Sequence, residues 1–129
     1  LIPRGGADLV VSLEPMEALR YLQYLAPEGR IVSSTVPFVN IGSYPDEAEL
    51  LKELEAIPGT VAFDMDAVAK EVATARSSNM VLLGACAPFT GIAPEAIEQG
   101  IRSVFGPKGE KIVEANLAAF RAGMAKAGA

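Results

Sequence analysis

Three short apolar runs separated by helix-length amphipathic stretches constrain this chain more than any other feature. "ADLVVSL" (7–13), "RIVSSTV" (30–36) and "TVAFDM" (60–65) each read as a strand, the first buried on both faces. Between them lie "EPMEALRYLQYLA" (14–26) and "YPDEAELLKELEAIPG" (44–59), and "DAVAKEVATA" (66–75) follows the third. In the first helix Leu19, Leu22 and Leu25 fall at helical spacing, and Pro15 suits a first turn. In the second, Ala48, Leu51 and Leu54 face away from Glu47, Lys52 and Glu53, and Pro58-Gly59 ends the helix. Strand–helix alternation at this length means right-handed βαβ units and a parallel sheet. The expected class is α/β, a three-layer Rossmann-like sheet flanked by helices. After residue 75 only helical periodicity remains, giving a helical C-terminal third.

That last part opens on "SSNMVLLGACAPF" (77–89), apolar or small from Met80 to Pro88. Ser78 and Asn79 are good caps, and Met, Leu and Ala are strong helix formers, so a helix is expected over 79–87. A helix apolar all round belongs in a core or an interface, and Gly84, Ala85 and Ala87 would let another backbone come close. Cys86 has no basic residue nearby in sequence to stabilise a thiolate, which makes it a structural thiol. Two more helices follow, 94–106 with Ile97, Ile101 and Phe105 on one face, and 109–127 with Ile112, Leu117, Phe120 and Met124 buried. Asn116 sits on that apolar face, where a buried hydrogen bond between helices is its expected role. No repeat or low-complexity linker divides the 129 residues, so a single domain, 1–129, is expected.

Composition limits the chemistry. The net charge of −5 opposes nucleic acid and anionic membrane as default partners. No apolar run approaches the ~20 residues that span a bilayer. With no histidine and one cysteine, the chain can build no Ser-His or Cys-His pair, no histidine-ligated metal and no four-thiolate iron–sulfur cluster. A lone cysteine also suits a reducing cytoplasm. No catalytic residue and no metal ligand set is therefore expected. The candidate ligand crevice lies at the C-terminal ends of the strands, where open parallel sheets bind ligands: Glu14, Thr35, Asp64 and Asp66. Helix capping competes with that role, most strongly for Asp64 and Asp66. "RGG" (4–6) could pass for an anion loop, but its glycines enter a strand rather than a helix, so a simple turn is expected.

The order of these pieces resembles the gamma subunit or domain of the 2-oxoacid:ferredoxin oxidoreductases, and within it the beta-subunit branch of the indolepyruvate ferredoxin oxidoreductases. The likeness is carried by "LIPRGGAD", "DLVVSLEPMEALRYLQYLAPEG", a strand ending in "STVP", "YPDEAELLKEL", "VAFDMDAVAKEV", "SSNMVLLGA" and "IVEANLAAFRAG". Its most specific elements are Asn79-Met80, Leu83-Gly84-Ala85 and Glu114-Ala115-Asn116-Leu117. The resemblance implies an accessory subunit in the thiamine-dependent oxidative decarboxylation of 2-oxo acids to acyl-CoA, with electrons passed to ferredoxin. It implies thiamine diphosphate, [4Fe–4S] clusters and CoA in the complete complex. This chain would bind none of them; a thiamine- and iron–sulfur-binding partner subunit would hold the first two. Family members begin with a strand and a G-x-G-G-Q-G loop that this sequence lacks, so the C-terminal two-thirds of such a subunit is expected. A sheet left unpaired on one side invites self-association, so a twofold homodimer is expected of the chain alone. A stand-alone Rossmann-like nucleotide- or CoA-binding module is the alternative. A methyltransferase is a weaker one, since residues 7–35 have its strand–helix–strand cadence without a Gly-rich cofactor loop.

Overall fold

The computed structural model describes residues 1–39 and 42–128. The chain divides into two compact units, 1–64 and 65–129.

The first unit is a three-stranded parallel sheet in the order β1-β2-β3: β1 Ala7–Ser12, β2 Leu25–Ser34 and β3 Val61–Phe63. Helices α1 (Pro15–Arg20) and α2 (Glu47–Ala56) form the two crossovers, touch each other and pack on the sheet. Their shared core joins Val10, Ala18, Ile31 and Leu54, with Leu19, Leu22, Leu25 and Ile57 against it. Burying a side chain of this size stabilises by about 1.5–3 kcal/mol, and non-local contacts of this kind set where the elements end.

α1 is much shorter than the 14–26 helix expected from its leucines. It stops at Arg20, a 3-10 turn runs from Leu22 to Tyr24, and β2 begins at Leu25, not at residue 30. The reason is the sheet: Leu25 pairs with Ala7, and the register then jumps so that Leu9 pairs with Arg30. "APEG" (26–29) is thus a bulge within β2, not a turn before it. Pro27 has no N–H to give a ladder, and Gly29 lies so close to β1 that a Cβ there would meet the Ala7 carbonyl at 2.8 Å. α2 is capped by Asp46, whose carboxylate accepts the Glu49 N–H at 3.0 Å, and Gly59 turns the chain at φ +78°. Its buried face is Leu50 and Leu54; Ala48, expected there, is exposed.

The second unit is helical: α3 (Met65–Val72), α4 (Ser78–Cys86), α5 (Pro94–Phe105) and α6 (Glu110–Lys126). A core of Ala87, Ile101, Val113, Leu117 and Phe120 holds it, with Ile97, Phe105 and Met124 partly buried around it. α4 is the all-round apolar helix expected, and its small residues do bring a second backbone close. A Cβ on Gly84 would lie 1.9 Å from the Phe120 carbonyl oxygen of α6, and one on Gly123 would lie 2.0 Å from the Val81 carbonyl of α4. The two glycines therefore admit each other's helix. Neither Ser78 nor Asn79 caps α4: Ser77 stands at the N-cap without a side-chain capping bond, its hydroxyl lying instead 3.3 Å from that of Thr74, which caps the preceding 3-10 turn. On α6 the buried stripe is Val113, Leu117 and Phe120, one residue off the expected start, and Ile112 is exposed. Asn116 bonds within its own helix, donating from Nδ2 to the Ile112 carbonyl at 2.8 Å, so it does not bridge helices.

Candidate functional site

Of the four crevice residues, Glu14 is the one around which the fold builds a cluster. It follows β1 directly and is the N-cap of α1. Oε2 accepts the Glu17 N–H at 2.8 Å, closing the first turn in the manner of a capping carboxylate. Oε1 accepts the Tyr44 hydroxyl at 2.5 Å and the Phe38 N–H at 3.4 Å. One carboxylate thus ties the end of β1 to two points of the β2–α2 connection. Ser12 steadies it from behind, donating to the Glu14 carbonyl at 2.6 Å and accepting the Glu14 N–H at 3.1 Å. Burial pushes the Tyr44 hydroxyl well above the usual phenol range. The bond to Glu14 and the charges of Glu14, Glu47 and Glu17 push the same way. At neutral pH Tyr44 is therefore a fixed donor, not a proton-transfer group. A hollow of about 250 Å³ lies beside this cluster, lined by Leu13, Glu14, Met16, Glu17 and Phe38.

The remaining three residues do not join it. Thr35 continues the sheet, its N–H donating to the Phe63 carbonyl at 3.0 Å. Next to it Ser34 Oγ accepts the Val36 N–H at 3.3 Å, and Ser33 Oγ donates to the Ser34 carbonyl at 2.9 Å. Asp64 is exposed at the end of the first unit. Asp66, in the second unit, accepts the Ser78 hydroxyl, fastening α3 to the start of α4. Tyr44 and Phe38 were not legible as partners of Glu14, because 30 and 24 residues of chain separate them from it.

Cys86 is 4% exposed, and burial pushes its thiol up to about 11. A single buried, protonated thiol does not fit an iron–sulfur cluster, which needs accessible thiolates, usually four. Among the described residues no group of three or more Cys, Asp or Glu could hold a metal ion. Nor, among them, is any helix long and apolar enough to cross a membrane.

The sequence profile of the pyruvate ferredoxin/flavodoxin oxidoreductases matches residues 1–126. The chain belongs to that family. Curated members similar to it include the indolepyruvate oxidoreductase subunit IorB of Thermococcus kodakarensis, 32% identical over 96% of this chain and 65% of that protein. The IorB of Methanothermobacter thermautotrophicus is 34% identical over 98% and 68%. The chain thus spans about two thirds of the length of these relatives. Among family structures, the 2-oxoglutarate:ferredoxin oxidoreductase of Magnetococcus marinus, solved with 2-oxoglutarate, coenzyme A and succinyl-CoA bound, superposes with a TM-score of 0.67. It is 27% identical to this chain, covering 99% of it and 21% of its own length. The α/β architecture is thus that of the 2-oxoacid oxidoreductases.

Proposed function

We propose that this chain is part of an accessory subunit of a 2-oxoacid:ferredoxin oxidoreductase of the indolepyruvate type, acting in the cytoplasm as one gamma-type domain, 1–129. The observation that carries this reading is the family match over residues 1–126 together with IorB relatives at 32% and 34% identity. In the complete complex, thiamine diphosphate would supply the electron sink that ordinary side chains cannot offer, and [4Fe–4S] clusters would supply single-electron transfer. The residues of this chain do not fit the clusters: its one thiol is buried and its sequence has no histidine. Cluster and thiamine binding therefore fall to a partner subunit, and this chain contributes surface and shape. Glu14, which accepts hydrogen bonds from Glu17, Phe38 and Tyr44, organises the strand-end surface without taking part in chemistry. Without the partner, the chain self-associates as a twofold homodimer.

The test is reconstitution. Mixed with the thiamine- and iron–sulfur-binding subunit, a complete-length version should give turnover of an aryl 2-oxo acid that depends on CoA and ferredoxin. The 129-residue chain should give none with any 2-oxo acid. Turnover by the isolated chain would refute the accessory role. Tight binding of an adenine nucleotide or free CoA by the isolated chain would favour a stand-alone binding module instead.

A further inference from the structure

We draw no further inference here: the strongest candidate, the exposed apolar patch of Phe38 and Val39 on the β2–α2 connection beside the Glu14 cluster, carries nothing because nothing in the structure shows what covers it in a chain that spans about two thirds of the length of its relatives.

Discussion

Substituting Gly84 by alanine should be among the most damaging small changes available to this protein. An added Cβ would sit 1.9 Å from the Phe120 carbonyl oxygen. An ordinary C···O contact is about 3.3 Å, so α4 and α6 would have to part by roughly 3.3 − 1.9, or about 1.4 Å. The obstacle is helix backbone, which cannot rotate aside as a side chain would. Val81, Ala85, Leu117 and Phe120 are all fully buried in this unit. A gap of 0.5–1 Å already forfeits about a quarter to a half of each pairwise dispersion contact, so the loss is on the order of 1 kcal/mol for each of the three large side chains and ~3 kcal/mol in all. Alanine's better helix propensity returns ~1 kcal/mol, leaving a net destabilisation of ~2 kcal/mol. Urea unfolding followed by circular dichroism measures it, with Gly100→Ala as the matched control. Gly100 lies in α5 with nothing within 4 Å of its would-be Cβ, so the same substitution there should stabilise by about 0.5–1 kcal/mol. Gly123→Ala should resemble Gly84→Ala, and the double variant should cost less than the sum, since helices already parted need not part twice. If Gly84→Ala proves as stable as Gly100→Ala, the close approach of α4 and α6 is wrong.

Cys86 should alkylate far more slowly in the native protein than in denaturant, and Cys86→Ser should cost about 1–3 kcal/mol by burying a hydroxyl that is imperfectly paired. Its raised thiol also predicts a pH effect. The unfolded thiol ionises near 8.5–9 and the folded one only at about 11, so this group favours folding fully below pH 8.5. That contribution is lost as pH rises towards 11, at up to ~1.4 kcal/mol per pH unit, and Cys86→Ala should show a shallower alkaline decline. Glu98 runs the other way: its bidentate bond to Arg121, at 2.8 Å for both oxygens, lowers its pKa against the opposing pull of burial. The pair therefore stabilises above the ordinary glutamate range and fails as acid protonates it, so Arg121→Gln should lower stability slightly at neutral pH, leave it unchanged in strong acid, and thereby flatten the acid limb of the stability profile. Tyr44→Phe should speed amide exchange at Phe38, with β2 unaffected; unchanged exchange would show that the connection is held by other contacts.

Much of this was readable in the chain itself. The βαβαβ order followed from three apolar runs and two amphipathic stretches, and "LLGAC" announced a helix able to admit a second backbone. What escaped was set by partners distant in sequence. Leu22 and Leu25 keep perfect helical spacing after Leu19, yet Leu25 is claimed by Ala7, and the ladder overrides the periodicity. A one-residue error in the face of α6 exposed Ile112 and hid Val113, because its apolar positions allow either stripe until α4 chooses one. The candidate site was half legible. A glutamate after a strand and before a proline signals both a cap and a crevice, and only the fold shows that Tyr44 also donates to it.

The mutual seat of Gly84 and Gly123 also limits how the helical unit can move. Helices that meet through interdigitated side chains can slide by letting rotamers reshuffle. Here each glycine is a notch for the other helix's peptide carbonyl, and neighbours of the notches, Leu83, Ala85, Ala122 and Met124, all carry a Cβ. Sliding α6 along α4 by a single residue would drive one of those carbons into backbone. The pair is keyed like a tongue in a groove, able to hinge open or to travel whole, but not to shear. A sliding displacement imposed on α6 therefore carries α4 with it.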